Sequence, residues 1–187
     1  LNFVRDGAKE MSSLINSILD VAKLESGKMA ISMVPVNAVE TARHVYENMV
    51  IQAGHLNIQC TFHAETDDLI ILADPELLSR ILQNLLSNAF KHLGSGNQVE
   101  LSVKKIADEV VFVVSDDGIG ISKEHQKTIF DKYVQVDAHG SAGYGVGLGL
   151  AFCNMAVTAH HGRIWVESAP EEGARFYIAL KAKPHPS

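Results

Sequence analysis

Asn84, Asn88 and Lys91 recur at spacings of four and three residues, so on a helix they form one polar stripe. Two amides with carbonyl oxygens beside an ammonium suit a hard cation and an anionic ligand. The same stripe also fits an ordinary solvated helix face. Downstream, Asp116-Asp117-Gly118-Ile119-Gly120-Ile121 sets a carboxylate at the end of an apolar run, followed by glycines that permit sharp turns and close ligand approach. An ionised aspartate only accepts hydrogen bonds, so it suits the exocyclic amine of adenine and disfavours the carbonyl of guanine. A plain Asp-Gly turn is the alternative. A third stretch, Gly143-Tyr144-Gly145-Val146-Gly147-Leu148-Gly149-Leu150, places four glycines at every second position and runs into a helical pattern. Exposed backbone N–H groups at a helix N-terminus favour phosphates. It is neither a P-loop nor a dinucleotide fingerprint, because it lacks Gly-Lys-Ser/Thr and a preceding hydrophobic strand. Between these loops, Ile129-Phe130-Asp131-Lys132-Tyr133-Val134-Gln135 and the small polar residues from Val136 to Ser141 read as an aromatic hinge leading into a lid.

These residues need elements to hold them. Pro75 opens a helix with Asp74 as its N-cap, and Leu78, Ile81, Leu82, Leu85 and Ala89 give it a core face opposite the polar stripe. Val110 to Val114 is continuously apolar and predicts a central strand buried on both faces, delivering Asp116 to its end. Val99, Leu101 and Val103 alternate as a strand with one solvated face, and Gly94 to Gly96 makes the turn before it. Leu148 to His161 predicts a helix ended at Gly162, and Arg163–Ser168 with Arg175–Lys181 a hairpin around a Glu-Glu-Gly turn. Upstream, Met29 to Val34 reads as a short strand stopped by Pro35. Asn37 then caps a helix reaching about Gly54, with Val39, Ala42, Val45 and Met49 inside, and short strands follow at Asn57–His63 and Leu69–Leu72. The sum is an α/β fold, a two-layer sandwich of a mixed, mostly antiparallel sheet with helices on one face.

Residues 1–28 are different. Leu1, Val4, Ala8, Met11, Ile15, Ile18 and Ala22 form a heptad seam that Leu14, Leu19 and Leu24 widen to bundle width, and Gly27 ends the helix. Such a face needs an upstream helix, a dimer partner or both; packing onto its own globular domain is the other solution. The expected division is therefore an incomplete helical hairpin over 1–28 and a globular domain over 29–187.

With 187 residues, 47% hydrophobic and 20% charged, the chain can bury one sizeable core. A net charge of −6 argues against nucleic acid as a partner. No run reaches the length of a membrane span, so no membrane contact is expected of this segment. Cys60 and Cys153 are too few for a disulfide framework and read as buried thiols in a reducing compartment. A cytoplasmic location is expected, whether the segment is free or belongs to a membrane-anchored sensor.

Together the motifs resemble the catalytic ATP-binding region of two-component sensor histidine kinases, with its Bergerat-type fold. Asn84 to Lys91 is similar to that family's N box, Asp116 to Gly120 to its first glycine box, Ile129 to Gln135 to its F box, and Gly145 to Leu150 to its second glycine box. The opening helix, with its Leu-Glu-Ser-Gly-Lys exit, resembles the second helix of the family's dimerisation hairpin. The resemblance implies ATP and Mg²⁺ as cofactors, and Asn88 as the metal ligand with Asn84 in support. It implies Lys91 near the phosphates, His92 where an aromatic is frequent, and Asp116 on adenine, with Gly118, Gly120 and Ile121 shaping the pocket. Phe130 and Tyr133 would be contributed by the F box, and Gly145, Val146, Gly147, Leu148 and Gly149 by the phosphate or pocket wall. Gyrase-like, mismatch-repair and chaperone ATPases of this superfamily carry a water-activating glutamate where Asn84 stands, and an amide is no general base. The implied activity is transfer of the ATP γ-phosphate to a histidine on an upstream helix, then to a response-regulator receiver domain, in a homodimer. No catalytic residue is expected within this chain, since none of the nine histidines has the setting of the family's phosphoacceptor. Val146 also stands where Thr is frequent. A regulatory module that binds nucleotide with little turnover is the alternative.

Overall fold

The computed structural model describes residues 15, 17–134 and 147–183. The calls on Leu1, Val4, Ala8, Met11 and Leu14, and on residues 135–146 including Gly145 and Val146, lie outside them. Helix α1 (residues 17–25) leads by a turn at Gly27 into β1 (Val34–Asn37), α2 (Ala38–His55), β2 (Gln59–Ala64), β3 (Ile70–Ala73) and α3 (Pro75–Lys91). Then come β4 (Gln98–Ile106), β5 (Glu109–Asp116), a 3-10 turn (His125–Lys127), α4 (Gly149–Ala159), β6 (Arg163–Ser168) and β7 (Ala174–Lys181).

The main sheet has the order β2-β4-β5-β7-β6. Only β2 with β4 is parallel; the other pairs are antiparallel. Helices α2, α3 and α4 cover one face. Leu101, Phe112, Phe176 and Ile178 from the sheet meet Leu78, Ile81, Leu82, Leu85 and Phe152 from the helices in one buried cluster. On the outer face, Val111, Val113 and Ala179 are shielded by Trp165 and Tyr177, whose rings stack 4.9 Å apart and nearly parallel. That cover explains why β5 is apolar on both sides, as its sequence predicts.

The helix starts are dictated locally. Asn37 Oδ1 accepts from Val39 N and Glu40 N at the start of α2. Asp74 Oδ1 accepts from Glu76 N and Leu77 N at the start of α3, where Pro75 occupies the first turn. Asp74 Oδ2 also accepts from Ser32 N, tying the approach to β1 to this cap. Behind it, His160 donates from Nδ1 to Ala156 O and accepts at Nε2 from Asp74 N, which joins the end of α4 to the start of α3.

Two expectations need correction. The first strand is not Met29–Val34 but Val34–Asn37, and Pro35 lies inside it rather than stopping it. Strand β1 pairs with β3 alone, in a separate two-stranded sheet, so its far edge has no ladder bond for Pro35 to lose. The helix expected from Leu148 to His161 spans Gly149–Ala159. Both thiols are buried as expected, and burial pushes Cys60 up to about 11. Among the described residues, no helix is long and apolar enough to cross a membrane.

Helix α1 splits its faces. Val21 is buried against the globular part, with Asp20 paired to Arg80 and Glu25 to Lys132. Ile15, Ile18 and Leu19 stay exposed. The described turns therefore pack onto the chain's own domain and still leave an apolar stripe uncovered.

Candidate functional site

Eight apolar residues of α3, from Leu77 to Phe90, are buried, which turns Asn84, Asn88 and Lys91 to the rim of the core. Asn84 and Asn88 are half-buried, yet neither side-chain amide is hydrogen-bonded to a described residue. Lys91 is exposed and, among the described residues, carries no salt bridge. A Cβ placed at Gly149 would stand 3.5 Å from Asn84 Oδ1, so α4 begins against the Asn84 end of the stripe. No group of three or more His, Cys, Asp or Glu among the described residues could hold a metal by itself. A divalent cation here would take an amide oxygen and draw its remaining ligands from water and a bound anion, a donor set that fits Mg²⁺.

The other wall is the loop after β5. Ile119 N donates to His92 O at 3.1 Å, which seats this loop on the C-terminal end of α3. Asp116 is the last residue of β5, and its Oδ1 accepts from Gly118 N at 3.0 Å and from Ala174 N at 3.3 Å. Among the described residues no hydrogen bond ends on Oδ2, and no buried side-chain oxygen lacks a partner, so Oδ2 is reachable. Burial raises the Asp116 pKa above the ordinary carboxylate value; the two N–H donors oppose the rise and the Asp117 charge adds to it. Gly120 adopts φ +68°, and a Cβ there would overlap the carbonyl of Ala169, so only glycine closes this turn. His92 is held below the usual histidine range by desolvation and by the neighbouring Lys91 ammonium, which leaves it neutral beside the stripe.

The glycine-rich stretch is described from Gly147 onward. Gly147 sits at φ +69°, packed on the Val134 carbonyl, and its own carbonyl accepts from Tyr133 N at 3.0 Å. Tyr133 and Gly147 are thus pinned to each other by this backbone bond. Phe130 packs edge-on against Phe176, 6.3 Å between centroids, anchoring this segment in the core. Tyr133 is exposed and, with Lys132 and Leu148, faces Ile18, Val21 and Glu25 of α1 across a small slot.

The fold therefore brings Asn84, Asn88, Lys91, His92, Asp116, Gly118, Gly120 and Ile121 to the C-terminal half of α3 and the loop seated on it, with Gly147, Leu148 and Gly149 at the start of α4. Phe130 instead packs on Phe176, and Tyr133 is held to Gly147 and faces α1. Sequence reasoning missed Ala174, Ser168 and Gln126, which hold the Asp116 loop from behind. The partners of Ala174 and Ser168 are set by sheet register, which no local pattern announces, and Gln126 joins them through its bond to Ser168 O.

Comparison with known proteins gives a consistent picture. The family model described as "Histidine kinase-, DNA gyrase B-, and HSP90-like ATPase" matches residues 73–184. The circadian input-output histidine kinase CikA of Synechococcus elongatus is 34% identical over 178 residues, which is 94% of this chain and 24% of that protein. The chain thus spans about a quarter of that relative's length. The crystal structure of full-length ShkA in complex with AMPPNP superposes with a TM-score of 0.86 at 29% identity, over 100% of this chain and 39% of that one. Histidine kinase ThkA, solved with the response regulator protein TrrA, shares the fold at TM-score 0.76 and 22% identity, over 98% of this chain and 50% of that one.

Proposed function

The chain belongs to the histidine kinase-, DNA gyrase B- and HSP90-like ATPase family, and on that footing we propose that residues 29–187 bind ATP with Mg²⁺ for phosphoryl transfer to a histidine. The observation that carries the reading is the α3 stripe of two amides and an ammonium that have no partner among the described residues, beside Asp116, whose Oδ2 takes no hydrogen bond from any described residue. In this reading the adenine amine donates to Asp116 Oδ2, and Gly118, Gly120 and Ile121 line the base. Lys91 meets the phosphates as a point charge, with neutral His92 beside it. Gly147, Leu148 and Gly149, at the N-terminus of α4, would offer backbone N–H groups to the phosphates, with Gly145 and Val146 assigned to the same phosphate or pocket wall. Asn88, supported by Asn84, would hold Mg²⁺, which supplies charge neutralisation on the phosphate oxygens.

Phosphoryl transfer asks mainly for positioning and charge stabilisation, and this set supplies both. An imidazole nitrogen of the acceptor attacks the γ-phosphorus, the bond to the β-γ bridging oxygen breaks, and ADP leaves with that electron pair. Asn84 stands where the ATPases of this superfamily carry a water-activating glutamate, and an amide is no general base, which favours transfer over hydrolysis. We place the acceptor histidine on a helix paired with residues 1–28 in a homodimeric bundle, consistent with the exposed Ile15, Ile18 and Leu19. An aspartate on a response-regulator receiver domain is the next acceptor. The ThkA neighbour, solved with a response regulator, supports that partner class. Two-component signalling in the cytoplasm follows from the same reading.

The test is calorimetric titration with ATP and GTP, each with and without Mg²⁺. Adenine-selective, Mg²⁺-enhanced binding supports the reading. Absence of binding under every condition would leave a regulatory module of this fold.

A further inference from the structure

We propose that Ser168 and Gln126 are positioning residues for adenine recognition, forming a clasp behind the Asp116 loop; this rests on the adenine reading of Asp116. The orientation of the carboxylate is set by two N–H groups from different parts of the chain. Gly118 belongs to the loop itself, and Ala174 opens β7. Oδ2 therefore keeps its direction only while the loop and the β6–β7 turn keep their relative placement.

Four side-chain hydrogen bonds fix that placement. Ser168, the last residue of β6, accepts at Oγ from Ile121 N at 2.8 Å and donates to Gly173 O at 2.5 Å. One hydroxyl thus ties the end of the loop to the residue just before Ala174. Gln126, in the 3-10 turn, donates both hydrogens of its amide, to Ile121 O at 2.7 Å and to Ser168 O at 2.8 Å. The backbone adds Glu171 N to Ile119 O at 2.8 Å and the β5–β7 ladder, which pairs Asp116 itself with Ala174. The side-chain bonds therefore hold the Ile121 end of the loop, which the ladder does not reach. No hydrogen bond joins Ser168 or Gln126 to Asp116. Both are half-buried at the edge of the domain, outside the main apolar cluster, so their replacement leaves the core intact.

The clasp acts on one contact, the bond between the purine 6-amine and Asp116. Its signature is the ratio of affinities for ATP and for purine riboside triphosphate, which lacks that amine. General destabilisation weakens both ligands alike. Loosened aim weakens ATP alone. Calorimetric titration of the 187-residue chain with both nucleotides, alongside thermal melting, would compare wild type with Ser168→Ala and Gln126→Glu. Gln126→Glu keeps the shape but cannot donate to either carbonyl.

Each variant should weaken ATP by about 10-fold and the analogue by no more than about 2-fold, which collapses the ratio. Ser168→Thr, which keeps the hydroxyl, should bind ATP within about 3-fold of wild type. ATP affinity unchanged in both Ser168→Ala and Gln126→Glu overturns the clasp, as does a parallel loss for the two nucleotides. A wild-type chain that fails to prefer ATP over the analogue overturns the adenine reading of Asp116, and the clasp falls with it.

Discussion

Replacing Asp116 by Asn should stabilise the protein and at the same time abolish its preference for adenine. Gly118 N and Ala174 N both donate to Oδ1, so an amide at this position must turn its own oxygen toward them. The NH₂ group then takes the place of Oδ2 and faces the adenine amine donor to donor. The loss combines a charge-assisted hydrogen bond with an unpaired donor, together about 3 kcal/mol, or roughly 100-fold in Kd. The stability effect has the opposite sign. Burial holds the folded-state pKa of Asp116 above its ordinary value of 3.8. Its contribution to stability is therefore full below 3.8 and is lost as pH rises through the folded value, leaving the ionised carboxylate a net cost at neutral pH. The amide keeps both N–H bonds and removes the desolvated charge and its repulsion with Asp117. Water still reaches this half-buried group, so the gain is at most about 1 kcal/mol, or roughly 2–4 °C in Tm for a chain of this size. Thermal melting without nucleotide, followed by titration with ATP, reads both effects. A variant that melts lower at pH 7, or that binds ATP as wild type does, would refute the reasoning.

Other perturbations address other parts of the site. ATP affinity should fall on acidification beginning above the usual carboxylate range, because protonated Asp116 loses its acceptor charge; an affinity flat from pH 7 to pH 4 contradicts the assignment. Lys91→Gln should weaken ATP by about 10-fold while leaving adenosine unchanged, and should let the His92 pKa rise in an NMR titration once the adjacent ammonium is gone. Equal losses for ATP and adenosine would remove Lys91 from the phosphate end. His160→Ala deprives the buried Asp74 N–H of its acceptor and should cost about 2 kcal/mol, or roughly 4–8 °C in Tm, with ATP affinity preserved at temperatures where the variant is folded. Asp20→Asn with Glu25→Gln should speed amide hydrogen exchange in residues 17–25 several-fold and move the main melting transition little, since both pairs are partly solvated. Unchanged exchange would mean that apolar packing of Val21 and Leu24 holds the helix.

The order of elements and the make-up of the candidate site were legible in the chain because both are written in local signals. Asp74-Pro75 and Asn37 cap helices through atoms two or three residues away, so their sequence reading matches the structure. The unbroken apolar run from Val110 to Val114 could only be a doubly covered strand, and its C-terminal end places Asp116 at the rim. The stripe of Asn84, Asn88 and Lys91 follows from helical period alone. Pro35 misled because its effect depends on whether the strand has a second neighbour, which is a property of the sheet and not of the tripeptide.

What the fold alone decided is which distant groups meet. Ala174 reaches Asp116 across 58 residues, and Ser168 reaches Ile121 across 47, because antiparallel β5, β6 and β7 bring those ends into register. Register is a collective outcome of burying one face of every strand, so no single segment encodes it. The same holds for α1. Its heptad spacing announces an apolar face, but only packing assigned Val21, Asp20 and Glu25 to the chain's own domain and left Ile15, Ile18 and Leu19 outside. Sequence by itself determined what the site is made of; tertiary structure decided how Asp116 is aimed, because aim depends on hydrogen bonds between segments that only the folded sheet brings together.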